Sequence, residues 1–599
     1  MTVRLAFAAL LACTPLAAGA AGAADRWYEV RVDDVAAGYE HEVATDAPAG
    51  GTQTHREMQL VLSRLDARIS LGEDDLVVED AAGRPTSLRT TLHESTDDTI
   101  VEVAVEPDRL VVTQTAGGRR YVRELPAEPG LLGPEGIRAR TRAWLADPGS
   151  PLAYAMFEAD LGTTVHVTRR FAGRDASGHA LVEERIEGTP GASQLVLDDE
   201  GRALAETEDS PFGRVSVLLS DTARARSAAG AGPRAEVYAR TLLRANVRLP
   251  DARRLDRLRV AIALDDPEVA WPDLEGPGQH VVEATPRRRV LELSRVVPAA
   301  DPPPSAAPSD PDLQPNVLLQ SDHPAVVALA ESLRRPGAGT LAQSLLLRDW
   351  VATHLSFDLG LAVVPAGEIV RDRRGTCVAY AVLTASLARA LGIPARVVLG
   401  YVYLDGVFGG HAWTEVRVGE TWVPVDAAVW GPGAADPARI ALARHGGESG
   451  IGSGAVELAR LLGRISVRIE GYSLDGRRTR VPADAPPYRI DGRRYRNPWL
   501  GLSLEAPAGY RYAALDAVYP DPTVLRLDGP GEARITLRST PVGPGTPALR
   551  DLGPARCESR PDGRRCVRRA GGTQWVLEAT PGAASTRLDV VLRSLRIQP

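Results

Sequence analysis

Within the stretch Arg371 to Trp430 the chain reads first as one helix and then as a run of strands, and that change of period constrains the fold more than any other feature. Val378 to Leu391 is rich in Ala, Leu and Val, with Leu383, Leu387 and Leu391 four apart on one face; Gly392-Ile393-Pro394 stops it. Cys377 falls at the helix start, just after Gly375-Thr376. A thiol there feels the positive end of the helix dipole, which favours the thiolate. Arg396 to Leu404 is apolar and β-branched, and His411–Val418 with Thr421–Val429 reads as a hairpin turning at Gly419-Glu420. A two-residue loop sets Trp413 opposite Asp426, which makes His411 and Asp426 diagonal neighbours on one face, roughly 7–8 Å apart at the backbone. Alone, Cys377 reads as a small buried hydrophobe, His411 as a satisfied strand histidine and Asp426 as a strand-end cap. Together they have the logic of a Cys-His-Asp triad: a helix presents a thiolate while a hairpin orients an imidazole with a carboxylate.

Gly-Thr-Cys, the LARALGIPARVV run, His-Ala-Trp-Thr-Glu-Val and Trp-Val-Pro-Val-Asp, in this order and spacing, resemble the transglutaminase-like core of the papain-like cysteine enzyme superfamily. The resemblance spans roughly Asn316 to Tyr472. It implies an α+β core with a helix-borne Cys nucleophile, a strand-borne His base and an adjacent-strand Asp, which are Cys377, His411 and Asp426 here. It also implies action on amide bonds, by hydrolysis, transamidation or deamidation.

The 599 residues are 44% hydrophobic and 25% charged, enough to bury several cores. A net charge of −7 leaves no basic footprint, which argues against nucleic acid as the main partner. All 70 basic residues are Arg, so the chain has no lysine amine to offer as its own acyl acceptor. The N-terminus reads as a signal peptide, with basic Arg4, apolar Leu5–Leu16 and the cleavage motif Ala21-Gly22-Ala23. An uncleaved anchor and a lipoprotein lipidated at Cys13 stay open as variants. No later run is apolar enough to span a bilayer. Cys557 and Cys566 flank Arg560-Pro561-Asp562-Gly563. A turn centred on Pro561-Asp562 sets them directly opposite, as a disulfide needs, whereas a bulged turn shifts them by one. Cys377 is then the leftover thiol, and in an oxidising compartment catalysis gives it a reason.

The fold class expected is α+β and multidomain: a transglutaminase-like (papain-like) core flanked by β-rich domains on both sides. After the signal peptide (1–24), residues 25–228 read as an antiparallel β-rich domain, interrupted by a helix near Pro134–Leu145 and a second possible one at Pro151–Ala159. His41, His55, His93, His166 and His179 are scattered there and form no cluster. Residues 233–298 offer strands for a small β-sandwich, and 299–315 is a Pro-rich, semi-rigid spacer. The core, 316–472, opens with helices at Pro324–Arg335, capped by Asp322, and Leu341–His354, following Thr340. It ends with a Gly-rich loop through Gly446–Gly454, a helix near Val456–Leu462 and a strand near Ile465–Ile469. GESGIGSG in that loop lacks the GK[ST] ending of a phosphate loop. Residues 488–599 read as an accessory α/β or β domain, with Leu588–Leu592 among its strands.

The chemistry expected needs no cofactor. A structural zinc site wants four ligands, and Cys377, His411 and Asp426 have no evident fourth. The oxyanion would face the Cys377 backbone N–H at the helix start. Trp413 and Thr376 are the candidate substrate-binding residues, Trp422 a second candidate wall, and Gln343 reads as a surface residue. Tyr401 and Tyr403 read as packing residues on an apolar strand. Hydrolysis of a protein or peptide substrate, as a peptidase or deamidase, is favoured because water is at about 55 M and transamidation needs a site that excludes it. The alternatives are a cross-linking transamidase and a non-enzymatic scaffold that binds envelope peptides.

Overall fold

The computed structural model describes residues 24–597 except 48–49, 66, 160, 190, 211–212, 231, 233, 239–240, 267–268, 362, 446–460, 516–520, 542–554, 571–572 and 582–584. The signal-peptide reading, the Gly446–Gly454 loop and nearly all of the Val456–Leu462 helix lie outside the described residues. Strand outweighs helix, 49% against 16%, so the mixed class expected from sequence is strand-rich.

From Ala24 to Ser220 a single 14-stranded antiparallel sheet runs with the first strand at its middle and strands Arg119–Pro126 and Leu152–Glu158 at its edges. The segment after the first edge turns back along the other: Leu132 N–H donates to the Ala155 carbonyl (2.9 Å) and Ala155 N–H to that of Gly130 (3.2 Å). The helix Pro134–Leu145 forms where its proline signal placed it. Its first turn is capped from across the sheet, since Glu79 accepts from Glu135 N–H (3.1 Å) and Gly136 N–H (2.9 Å). The second helix expected, at Pro151–Ala159, is instead a strand, Leu152–Glu158. Leu152, Tyr154 and Met156 point inward while Ala153 is exposed, and pairing with Thr163–Arg174 overrides the proline's helix signal.

A five-stranded sheet joins Leu255–Leu264, Gln279–Thr285 and Arg288–Ser294 to Ile465–Leu474 and Arg477–Arg480. The 233–298 segment therefore does not close a sandwich by itself. Its long strand Leu255–Leu264 is completed by chain from beyond the core, Val260 opposite Ile469. The Pro-rich stretch is tied to the core at several points. Asp301 accepts from Leu341 N–H (2.6 Å) and Ala342 N–H (3.0 Å), capping the Thr340–His354 helix in place of Thr340, and Asp310 pairs with Arg417. Likewise Asp322 does not cap the Pro324–Ser332 helix. His323 Nδ1 accepts from Ala325 N–H (3.2 Å), while Asp322 takes Arg119 and the Tyr121 hydroxyl (2.9 Å) from the N-terminal sheet.

In the core, Val407–Val418 pairs with Ala395–Leu404 on one side and with Thr421–Val425 on the other, and Ala395–Leu404 pairs onward with Arg439–His445. The helix Cys377–Ala390 packs on this sheet, burying Leu383, Leu387 and nearly every other side chain of its length. Tyr401 and Tyr403 are buried, and the Tyr403 hydroxyl accepts from Leu249 N–H (2.7 Å). One continuous apolar core runs from the N-terminal sheet through the five-stranded sheet to these helices.

Residues 489–597 have their own core between four- and six-stranded sheets. Here Leu588–Leu592 is not a strand but part of the helix Ser585–Ser594; Leu588, Val591 and Leu595 bury one face at spacings of three and four. A five-residue apolar run is too short to separate the two periods in sequence. Cys557 and Cys566 are directly opposite in a hairpin and joined by a disulfide.

Candidate active site

Two short parallel strands, Ser356–Phe357 and Arg374–Gly375, fix the approach to the nucleophile helix. Gly375 has no room for a side chain: a Cβ there would stand 2.3 Å from that of Ala379, one turn into the helix. Thr376 takes the N-cap position with extended backbone and is only 5% exposed. Cys377 is the first helical residue, so its N–H has no acceptor within the helix. Across from it, Thr414 donates its buried hydroxyl to the Ala381 carbonyl (2.9 Å), which pins the histidine strand to the helix.

The hairpin forms with Gly419 at positive φ and Thr414 opposite Val425, the register that makes His411 and Asp426 diagonal neighbours. His411 Nε2 lies 2.8 Å from Asp426 Oδ2, and the imidazole acts on the Cys377 thiol through its charge and hydrogen bonding. The thiol is half-buried; the imidazole and carboxylate are buried. Asp426 also caps the chain beyond it, Oδ1 accepting from Ala428 N–H (3.0 Å) and Val429 N–H (2.9 Å). Its two oxygens thus do both things the sequence allowed, orienting the imidazole and closing a strand end.

Behind Asp426 stands a relay of buried charge that sequence reasoning missed. Arg439 donates Nε to Asp426 Oδ2 (2.9 Å) and pairs with Asp436 (2.5 Å), which also meets Arg253 (3.0 Å). The run Asp436-Pro437-Ala438-Arg439, a charge pair heading an apolar strand, was the available signal. Burial would raise the Asp426 carboxyl, but the charges of His411 and Arg439 outweigh it and hold the group well below the usual carboxylate range. Burial would lower His411, yet Asp426 and the thiol push it up to about 9. Burial would raise the Cys377 thiol; the hydrogen bond and charge of His411, the Ala412 N–H and the charge of Arg64 bring it down. Both shifts act in the direction of a thiolate–imidazolium pair.

The other candidates are largely enclosed. Trp413, 2% exposed, packs with Val398 and Ala441 and backs the His411 ring at 6.1 Å. Thr376 is similarly enclosed. Trp422 lies at the far end of the hairpin between Arg396 (4.1 Å) and Arg417 (5.6 Å), and walls no site. Gln343 is buried, not a surface residue. It accepts from Arg335 N–H (2.7 Å) and donates to the Leu333 carbonyl (3.0 Å), tying off the preceding helix. Open space exists beside Gly410, where an added Cβ would meet nothing within 4 Å, one residue before His411.

No curated protein matches the sequence. Among solved structures the chain is similar to a candidate cysteine protease from Cytophaga hutchinsonii, at 17% identity over 40% of this chain and 91% of that one, TM-score 0.25. It is also similar to a β-barrel-like protein of a domain of unknown function from Brucella abortus (12% identity, 33% of this chain and 95% of that one, TM-score 0.27). A candidate protease from Parabacteroides distasonis is a third (13% identity, 87% and 94%, TM-score 0.16). At these scores none of the three bears on fold or chemistry. The family model of the transglutaminase-like superfamily matches residues 327–427, from the helix Pro324–Ser332 through Asp426, and so takes in all three residues of the cluster. The chain carries a core domain of the transglutaminase-like superfamily.

Proposed function

We propose that this chain is an exported thiol hydrolase of papain-like active-site arrangement that cleaves amide bonds, with Cys377 as nucleophile, His411 as general base and acid, and Asp426 as the residue that orients the imidazole. What carries this reading is the partly buried thiol at a helix start, brought down by the charge and hydrogen bonding of an imidazole that a buried carboxylate holds. The disulfide and the N-terminal apolar segment support an exported protein.

The Cys377 thiolate attacks the amide carbonyl carbon. A C–S bond forms, and the carbonyl oxygen takes the negative charge beside the Cys377 N–H at the positive end of the helix. Collapse breaks the C–N bond while protonated His411 gives its proton to the departing nitrogen, leaving a thioester. His411, now neutral, takes a proton from water, the hydroxide adds to the thioester, and C–S cleavage returns the thiolate and a carboxylic acid. Throughout, Asp426 keeps one ring nitrogen protonated and the other turned to the sulfur.

Iodoacetamide labelling at graded pH tests the pair without a substrate. Cys377 is expected to alkylate well below about pH 8 in native protein and to lose that reactivity in His411→Ala. A thiol that reacts only in denaturant would defeat the reading. A peptide library incubated with wild-type and Cys377→Ala protein, with and without a primary amine probe, then identifies the bond cut and separates hydrolysis from amine transfer.

A further inference from the structure

Charge is divided unevenly along this chain. Residues 488–599 hold 18 arginines against 11 aspartates and glutamates, a net of +7, while residues 1–487 hold 52 against 66, a net of −14. The last domain is therefore basic although the whole chain is acidic. Part of that excess is gathered on one face. In the four-stranded sheet of this domain, Arg489–Asp491, Arg494–Asn497, Leu502–Glu505 and Arg596–Ile597 lie side by side in that order. Side chains alternate between the two faces of a strand. Tyr495, Leu502, Leu504 and Ile597 turn one face into the core of the domain. On the other face the register sets Arg489 opposite Arg496, Arg496 opposite Ser503, and Ser503 opposite Arg596. All three arginines are exposed.

With strands about 4.8 Å apart, this row carries three guanidinium groups over about 15 Å. Arg489 and Arg496 oppose each other directly, and like charges so placed work against strand pairing. The acids of the sheet stand in the next row, where Asp491 and Glu505 flank Arg494. That second row is close to neutral, and the positive charge is left in the first. Arg596 is steadied there by Nη1, which donates to the Arg593 carbonyl (2.6 Å). Opposed guanidinium groups gain from an anion set between them, and their planar forks suit phosphate oxygens. The flat face of a sheet offers this charge to a plane of anions rather than to a chain held in a groove.

We propose that this face of the C-terminal domain docks on an anionic lipid surface, with Arg489, Arg496 and Arg596 against phosphate-bearing headgroups. The test floats the chain with vesicles of mixed phosphatidylglycerol and phosphatidylcholine, or of phosphatidylcholine alone. Residues 1–24 are removed, so that their apolar run cannot anchor the protein by itself. Binding is expected to the anionic vesicles only, and to be lost at high salt. Replacing all three arginines (Arg489→Gln, Arg496→Gln, Arg596→Gln) should weaken it about 100-fold, about fivefold for each. The melting temperature and Cys377 alkylation should not move, because the three side chains are exposed. Removing the neighbouring acids, in Asp491→Asn with Glu505→Gln, should instead tighten binding. Equal binding to both vesicles, binding to neither, or wild-type affinity in the triple variant overturns the proposal. Dimer formation that the triple variant abolishes, with vesicles left unbound, would also overturn it and make the face a contact with the acidic part of a second copy. Tighter binding to a DNA duplex than to vesicles would replace the lipid by nucleic acid. None of these outcomes bears on the reading of Cys377.

Discussion

Buried carboxylates occur in two regions of this molecule, and those left without a close cation titrate in the opposite direction to the paired ones, among which Asp75 of the N-terminal sheet, held down by Arg56, also belongs. At the core, Asp426 and Asp436 are held below the ordinary carboxylate range, because Arg439 and Arg253 lie against them and backbone N–H groups fill the remaining lone pairs. On the inner face of the N-terminal sheet, burial pushes Glu40 and Glu79 up to about 7 and Glu208 up to about 8, and burial with the nearby Glu184 raises Glu206 well above its usual value. Guanidinium groups are present there too, but Arg56 is engaged by Glu73 (2.6 Å) and Asp75, and Arg169 by Glu184 (2.6 Å). Glu40 is left 3.9 Å from Arg56, and among the described residues Glu206 and Glu208 have no cation within 4.0 Å. Burial is the same in both places; pairing differs. The lesson is that a buried acid says little until its partners are counted, and only the paired set is built to hold a charge fixed at neutral pH.

The largest effect that could break this contrast is on reactivity. Asp426→Asn keeps the shape of the side chain but removes the charge that holds His411 near 9 and the acceptor that fixes its tautomer. Amide cleavage is expected to fall about 10³–10⁴-fold, as in other triads. The pH dependence of Cys377 alkylation should move toward that of an ordinary thiol. Glu206→Gln, deep in the N-terminal sheet, should change neither. Equal losses in both variants would mean that the two regions are not functionally distinct.

Next in size is stability. Arg439→Met leaves Asp426 and Asp436 short of a cation inside the core, and is expected to cost about 3–5 kcal/mol in denaturant unfolding. It should also blunt thiol reactivity, because Asp426 is then free to shift. A loss below about 1 kcal/mol would show that the relay behind Asp426 is not charged as described.

The contrast also marks what a sequence can reveal. Cys377, His411 and Asp426 were legible because helix and hairpin periods fix where each side chain stands, and the loop length at Gly419-Glu420 fixes the register. Arg439, Asp436 and Arg253 were not, since the strand that carries Arg439 pairs with Ala395–Leu404 across a chain reversal no local pattern encodes. Arg64 was further out of reach. It meets the loop at Leu359, about 300 residues away in sequence. Some of the N-terminal strands give no clear strand pattern, for the reason that makes that sheet unusual. Strands such as Val35–Asp46 and Ala203–Ser210 turn Glu40, Glu42, Glu206 and Glu208 inward, so apolar and polar positions do not alternate as a half-buried strand should.

The smallest effect, and the sharpest test of the unpaired side, is in the pH dependence of stability. A carboxyl whose folded pKa is raised binds its proton more tightly in the native state than in the unfolded chain. Between the unfolded value of 4.5 and the folded value of about 8 for Glu208, the native state therefore holds more protons, and stability falls as pH rises. His411 acts in the same direction at higher pH: its folded value is raised to about 9 from 6.5, so its contribution is complete below 6.5 and lost on passing 9. Asp426 and Asp436 act oppositely, their contribution present above the unfolded 3.8 and lost only in stronger acid. The melting temperature is thus expected to peak on the acid side of neutrality and to decline toward pH 8.5. Glu208→Gln keeps the size of the side chain and removes the charge that burial opposes. It should leave the melting temperature at pH 4.5 nearly unchanged and raise stability increasingly as pH climbs to 8.5. A variant equally stable to wild type at both pH values would mean that Glu208 is ionised and satisfied in the folded protein, and the two regions would then differ in sequence but not in electrostatics.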